Sequence, residues 1–588
     1  MRSGSRVAGV ACALAIARAA ALAGHTLVWS WWSPIAYLWQ DAAVLLVYAA
    51  IDRALHRVRG LPSILCAGAV AYLALSVPIV RVMSTPMTRT MWRAAGGALS
   101  DSVWTYVTAS NLLWVAAVVG VALAVAAGRD VPAGLTAFAK AAAVRKSCAT
   151  VVLLSVAALG PSAVSYVDTR GLDRNAWSAL AVGLLPRVDA AASAIDWRIG
   201  REHAAPLEDL TSLRGLAADR NVILVSLEST AARYLSLYGA AEDPTPLLSR
   251  LARTAVVFDN AYAVYPESIK GLFSTLCSVY PPMDVPTERF AATPCRSLAA
   301  RLAADGYRTA LFHSGRFDYL GMDAVVRHRG YEVLANAGEI GGERQSSFGV
   351  DDRATVARML RWIEGVPRSR RFFATYLPIS GHHPYDSPAA GPFPSDDEFG
   401  RYRNALRYGD TALGDLADGL ERRGLDRNTL WIVVSDHGEA FGQHDGNFGH
   451  TFQLYEENVH VPFVIAVPGV QTGQTRVTRT VSLIDTAPTV LDLLGLPQEP
   501  TYQGRSALGP SAGMAFFLAD YSLGLLGLRD GRLKCLLEIE SGRARLFDVV
   551  SDPRETHDVA VDHSAEADWY VDRLRAWSAA QRARLDAR

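Results

Sequence analysis

The sequence predicts an α/β protein in two parts, a membrane domain of five helices followed by a mainly parallel sheet sandwiched by helices. Three observations carry this expectation. Five long apolar runs lie before residue 170. From Asn221 onward, short apolar strands alternate with helical segments, the pattern of a parallel sheet covered on both faces. Two of those strands, NVILVSL and WIVV, run into Glu228 and into Asp436-His437. In open α/β sheets the carboxyl ends of strands are where ligands bind.

A membrane span needs about 20 mostly apolar residues. Val7–Trp29, Ile35–Ile51, Leu61–Val80, Leu112–Ala127 and Cys148–Val164 qualify. One such run reads equally well as a buried core helix, but five in succession do not. Val7–Trp29 lacks a small-residue cleavage site ahead of a polar domain, and another apolar run follows it, so it reads as a retained span.

Lys and Arg set the orientation. Arg2 and Arg6, then Arg53, Arg57 and Arg59, then Arg129, Lys140, Arg145 and Lys146 mark the cytoplasmic side. Five crossings carry the rest of the chain to the other side. Arg81, Arg89 and Arg93 oppose this rule, and Met83–Ser110 is therefore read as an interfacial stretch with Trp92, Trp104 and Tyr106 at headgroup level. Arg18 and Asp41 fall inside spans. Such charges pair or face a cavity, so either they join the first two helices or Arg18 lies beyond the true span.

At 588 residues the chain exceeds one domain. It divides into a membrane domain (1–166), an interfacial connector (167–220) and a catalytic domain (221–588). Lys plus Arg and Asp plus Glu both number 58, and this balance gives no ground for a nucleic-acid partner. Within the last part, Thr309–Phe312, Phe372–Leu377 and Val461–Val467 read as further strands. Ser387–Glu398, rich in Pro, Ser and Asp, reads as a surface loop.

The chemistry-bearing residues gather at strand and helix ends. Asp436 and His437 supply a hard oxygen and an imidazole nitrogen, a ligand pair suited to zinc or manganese. Glu228 offers a second carboxylate at the same kind of strand end. Ser268 follows Pro266-Glu267, a helix-start signal, and Leu272, Phe273 and Leu276 then form an apolar stripe. A Ser in that place is ordinarily an N-cap. It is also where an alkoxide would be stabilised by the helix dipole and a cation.

Taken in order, strand–Glu228, helix–Ser268 and strand–Asp436-His437 resemble the alkaline phosphatase superfamily. Within it, the resemblance is to the sulfatase-like domain of membrane-bound lipoteichoic acid synthases and phosphoethanolamine transferases. Thr245–Ala252 ahead of Phe258, Tyr455–Pro462, Ile484–Gly495, Leu546-Phe-Asp and Asp552-Pro extend the likeness across the catalytic part. It implies one divalent metal, zinc or manganese rather than magnesium or calcium, held by Glu228, Ser268, Asp436 and His437. Ser268 stands where family members have a Thr nucleophile.

His382 in Gly381-His-His-Pro-Tyr385, His450 after the metal pair and His313 in Leu311-Phe-His-Ser-Gly315 match phosphate- and headgroup-contacting histidines of the family. His313 and His444 read equally well as structural. Lys270 is a further substrate-binding candidate, or else a solvated first-turn lysine. Arg316 would stand in for the Trp and Arg that follow the His313 counterpart in lipoteichoic acid synthases. Cys12, Cys66 and Cys148 lie in spans as small hydrophobes. Cys277 closes the helix begun at Ser268 and Cys295 opens the next. The resemblance implies a bridge between those two, with Cys535 left over.

The implied function is transfer of a phosphoglycerol or phosphoethanolamine headgroup from a phospholipid donor to a cell-envelope glycan or glycolipid acceptor, through a covalent Ser268 intermediate. Its place would be a bacterial inner membrane, with the catalytic domain on the periplasmic or extracellular side. The alternative is a sulfuric-ester hydrolase, phosphodiesterase or phosphatase of the same superfamily. Sulfatases mature a Cys or Ser to formylglycine within Cys/Ser-x-Pro-x-Arg, whereas Ser268–Leu272 reads Ser-Ile-Lys-Gly-Leu, without the Pro or the Arg. A third reading, a non-catalytic domain, is disfavoured because all four expected metal positions are filled. The charge pattern gives a direct test of orientation. A reporter active only outside the cytoplasm should be active when fused after Arg170; activity confined to fusions near Arg57 or Lys140 would reverse the model.

Overall fold

The computed structural model describes residues 3–88, 91, 107–128, 146–183, 187–188, 195–201, 208–343, 348–510 and 513–586. Five helices, α1 (Ser3–Leu22), α2 (Ser33–Ala54), α3 (Leu61–Met83), α4 (Ala109–Ala126) and α5 (Lys146–Tyr166), are long and apolar enough to cross a membrane. The first expected span is shifted. Its helix begins before Val7 and stops at Leu22, because Gly24 takes a left-handed φ of +92° and turns the chain. Trp29 and Trp31 therefore lie in an exposed loop between α1 and α2. Arg2, Arg89, Trp92, Arg93, Trp104, Tyr106, Arg129, Lys140 and Arg145 lie outside the described residues.

Charged groups inside the bundle are paired. Arg18 on α1 binds Asp41 on α2, Nε to Oδ2 at 2.6 Å and Nη2 to Oδ1 at 3.0 Å. The same guanidinium donates to the backbone carbonyls of Leu172, Asp173 and Arg174. Arg6 and Asp52 form a second α1–α2 pair at 2.6 Å. Removing either partner of such a pair would leave an uncompensated buried charge, a loss of about 3–5 kcal/mol. Arg81, which opposed the orientation rule, donates to Ser110 and Asn111 and lies 5.9 Å from the Trp114 ring. It thereby ties the end of α3 to the start of α4.

The start of the connector packs onto the helical bundle. Leu172–Asn175 are buried. Arg18 draws their carbonyls down onto the bundle, and Asn175 caps a short helix, Ala176–Val182, from its side-chain oxygen to Trp177 N.

The part of the chain after the connector is built on one large sheet. Its strands are β1 (Asn221–Leu227), β2 (Val256–Tyr262), β3 (Arg308–His313), β4 (Val333–Ala335), β5 (Phe372–Leu377), β6 (Thr429–Ser435), β9 (His460–Val461), β10 (Phe463–Ala466) and β11 (Thr475–Ser482). The order is β11-β2-β10-β6-β1-β5-β3-β4, with β9 paired to β2. All neighbours are parallel except where β10 and β9 insert, which run antiparallel. The expected strand Val461–Val467 is thus two strands, split at Pro462, which has no N–H to give a ladder.

Side chains alternate between two cores. Val222 and Leu224 of β1 enter one core, while Ile223 and Val225 enter the other. Helix Ser268–Cys277 covers the first face through Ile269, Leu272, Phe273 and Leu276. Helices Asp352–Glu364 and Glu398–Glu421 cover the second. Strands β12 (Ala515–Ala519), β13 (Leu525–Asp530), β14 (Leu533–Glu538) and β15 (Ala544–Asp548) form a separate antiparallel sheet, packed against helix Ser564–Asp586 through Tyr570, Leu574 and Trp577. Between β6 and β9, a two-stranded ribbon, β7 (Ala440–Phe441) and β8 (Phe448–Gly449), projects from the large sheet's edge.

Cys277 and Cys295 are joined, with Cα atoms 5.7 Å apart. Cys295 sits before the next helix rather than in it, since that helix is capped by Ser297 and starts at Leu298. Non-reducing peptide mapping should return the two as one linked pair. Closing an 18-residue separation stabilises by about 3 kcal/mol, so reduction should lower the melting temperature.

Candidate functional site

The register of β1 against β6 decides where the site forms. Leu227 pairs with Ser435, so the next residues, Glu228 and Asp436, leave the sheet side by side. β2 runs the same way, and the chain beyond Tyr262 reaches helix Ser268–Cys277 at the same edge. Ser268 is not the N-cap. Glu267 is, its carboxylate accepting from Ile269 N at 3.1 Å and Lys270 N at 3.4 Å. This frees the Ser268 hydroxyl, whose Oγ lies 3.2 Å from Glu228 Oε2 and 3.3 Å from His437 Nε2.

His437 Nε2 in turn lies 3.6 Å from Glu228 Oε1 and 3.6 Å from Asp436 Oδ2. Glu228, Asp436 and His437 are buried. Burial and the neighbouring Asp436 push the Glu228 carboxyl well above the usual range. Two carboxylates held this close and this dry repel unless a positive charge joins them.

The donor set fits a divalent cation. Four ligands at tetrahedral zinc distances stand about 3.4 Å apart, close to the spacings here. His437 Nδ1 lies 2.9 Å from the Gly438 carbonyl, so Nδ1 carries the proton and the Nε2 lone pair faces Glu228 and Ser268. Asp436 Oδ1 accepts from the backbone N–H groups of His437 (2.7 Å) and Ser229 (3.1 Å), which leaves Oδ2 for the cation. Ser229 Oγ steadies Glu228 Oε1 at 2.9 Å. Gly381 arches over this corner. A Cβ there would stand 2.4 Å from the Glu228 carbonyl oxygen, and its φ is +116°.

The candidate histidines extend outward from this centre. The His450 ring lies 4.2 Å from that of His437 and 6.2 Å from that of His382. Glu439 binds His450 Nδ1 at 2.7 Å. Burial opposes the charge on His450, but the carboxylate more than offsets it and raises the imidazole above its ordinary value. His382 stacks on Phe348 with ring centres 3.9 Å apart, and burial pushes it down to about 3. His313 ends β3, donates from Nδ1 to the Leu377 carbonyl at 3.2 Å, and is pushed down to about 4 by burial. Both of these rings are neutral at physiological pH.

Two candidates sit differently from their expected places. Lys270 is not solvated. Its Nζ is buried and bound to Asp520 at 3.1 and 3.2 Å, above the Tyr265 ring, so its charge is already balanced. Arg316 is exposed, and the next residue, Phe317, turns inward to stack on His313 instead. His444 is held by Glu457 at 2.6 Å and stacks on Tyr455, consistent with its structural reading.

Residues 220–496 match the sulfatase family model. They form a sulfatase-family domain with the alkaline phosphatase superfamily fold. The chain is similar to the lipoteichoic acid synthase-like YvgJ of Bacillus subtilis (strain 168), 24% identical over 304 residues, which cover 48% of each chain. It is also similar to arylsulfatase K of Bos taurus, 32% identical over 164 residues, or 26% of this chain and 29% of that one. Among solved structures, a protein in the alkaline phosphatase superfamily from Vibrio parahaemolyticus aligns with a TM-score of 0.53 at 20% identity, covering 66% of this chain and 93% of its own. The chain spans about half the length, or less, of these curated relatives.

The sulfatase-family domain holds groups that sequence spacing did not expose. Glu439 forms a second metal-competent cluster with His437 and His450. Its other oxygen accepts from Tyr385 at 2.7 Å. The Glu follows the metal pair directly in Asp-His-Gly-Glu, and that adjacency was the available signal. Phe348 and Tyr319 had none, since only folding brings them to His382. If Asp436 is a metal ligand, Asp436→Asn should leave the fold intact and weaken zinc or manganese binding by about tenfold or more. Calorimetric titration of the metal-free full chain measures this.

Proposed function

We propose that this is a multi-pass membrane enzyme that moves a phosphoglycerol or phosphoethanolamine headgroup from a phospholipid to a cell-envelope glycan or glycolipid. The observation that carries the reading is the convergence of Ser268 Oγ on Glu228 and His437 at the mouth of a helix, in a chain with five membrane-competent helices. Glu228, Asp436, His437 and Ser268 would hold one divalent cation, zinc or manganese. That cation, when bound, supplies Lewis-acid charge that lowers the pKa of an oxygen beside it.

Ser268 is the nucleophile. Its oxygen forms a bond to phosphorus as the bond to the diacylglycerol oxygen breaks, and the lipid leaves with a proton. The acceptor hydroxyl then attacks the phosphoserine, gives up its proton, and releases Ser268. His450, whose imidazole Glu439 holds above its ordinary value, would donate to the leaving oxygen; neutral His382 would orient a phosphate oxygen. The cluster of Arg in the short loops and the Cys277–Cys295 bridge support an extracytoplasmic catalytic domain at a bacterial inner membrane.

Sulfatase chemistry is the second reading, favoured by the likeness to arylsulfatase K. Ser268→Ala separates structural from chemical roles. Because Glu267 provides the cap, the variant should fold with less than about 1 kcal/mol of loss and have no turnover. Peptide mass spectrometry across Glu267–Lys270 tests the class. Unmodified Ser268 that becomes phosphorylated on exposure to lipid donor supports transfer; formylglycine at 268 ends that reading.

A further inference from the structure

The β7–β8 ribbon joins two functions that the sequence keeps far apart. Its feet belong to the candidate site. Asp436, His437 and Glu439 lead into β7, and His450 follows β8. Its inner side is fixed by the catalytic domain. Asn447 Nδ2 donates to Glu457 and to Asn458, both at 2.8 Å, and Gln443 Nε2 donates to the Tyr234 hydroxyl at 2.8 Å.

Its tip is held by the membrane domain. Asp445 Oδ1 lies 3.1 Å from His25 Nδ1, and Asp445 Oδ2 accepts from Thr26 N at 2.8 Å. Both partners lie in the α1–α2 loop. Arg170, past α5, approaches the same carboxylate at 3.5 Å. Ser84, at the end of α3, donates to the Gly446 carbonyl at 3.3 Å. Gly446 has φ +75°, and a Cβ on it would stand 2.2 Å from Ser84 Oγ, so the close approach depends on glycine. Two membrane-domain segments and the start of the connector thus converge on two adjacent ribbon residues.

We infer that Asp445 is a positioning residue through which the membrane domain sets the geometry of His450 and Glu439. A two-residue-per-strand ribbon has few ladder bonds of its own, so its alignment depends on what grips both sides. Asp445 supplies the outer grip with a carboxylate that accepts from His25 and Thr26 and pairs with Arg170. The inference rests on the site being catalytic, and the exchange measurement below stands apart from that assumption.

The test uses the full chain in detergent or nanodiscs, with bis(4-nitrophenyl) phosphate and 4-nitrophenyl sulfate as soluble substrates that need no membrane access. Asp445→Ala and His25→Ala should each lower kcat by about tenfold with KM changed less than about twofold. The double variant should be little worse than Asp445→Ala alone, since that change already removes the His25 contact. Asp445→Asn, which keeps an acceptor for Thr26 N, should recover part of the loss. Arg543→Ala is the control. It removes donors to the Val164 and Ser165 carbonyls elsewhere on the domain junction and should leave kcat unchanged. An unchanged kcat in Asp445→Ala, or an equal fall in Arg543→Ala, overturns the inference. Hydrogen exchange across residues 439–450 should accelerate in Asp445→Ala and not in Arg543→Ala. Unaltered exchange in Asp445→Ala overturns it whatever the kinetics, and this arm decides alone if the wild type turns over neither substrate.

Discussion

The pairing of β1 with β6 is the constraint on which the rest of the domain depends. It brings two carboxylates to adjacent strand ends inside a buried corner. Like charges in that setting are unfavourable by themselves, and every nearby contact reads as an answer to this. Backbone N–H groups hold one oxygen of Asp436, Ser229 holds Glu228, and the His437 tautomer turns a lone pair toward both. The helix carrying Ser268 points its N-terminus into the same corner. A cation there converts a repulsive cluster into a cohesive one.

Much of this was legible in the sequence because the informative residues are local to their elements. Glu228 and Asp436-His437 each follow an apolar strand directly, and strand ends are read from hydropathy alone. The five apolar helices were legible for the same reason, and the largest shift in their limits, at the end of the first, falls where Gly24 turns the chain. The fate of Ser268 needed more. A Ser after Pro-Glu looks like a cap, and only backbone geometry shows that Glu267 takes that role and frees the hydroxyl. Lys270 and Arg316 illustrate the remaining gap. Whether a charged side chain meets solvent, substrate or a partner 250 residues away, as Lys270 meets Asp520, is a tertiary fact. The aromatic contacts of Phe348 are of the same kind. The burial of Leu172–Asn175 is likewise tertiary, since it comes from Arg18, far earlier in the chain.

The outer parts of the site are chemically unlike its centre. Near Ser268, acidic and cation-competent groups dominate. Beyond His382, neutral imidazoles and aromatic rings line up through Phe348, Tyr319, His313 and Phe317. On the function proposed above, a phosphate would bind at the first zone, and whatever it carries would meet the second. Burial holds His313 and His382 neutral, so that second zone does not compete for the anion.

The carbonyl contacts of Arg18 bear on biogenesis. During synthesis α1 emerges long before Leu172–Arg174, so its guanidinium enters the bilayer region without three of its eventual acceptors. Asp41, next along the chain, is the first to become available and offers a bidentate partner early. The remaining acceptors arrive only after the fifth helix, when the chain folds back onto the bundle. The last step in completing the helical bundle is therefore made by the segment that leads into the large sheet.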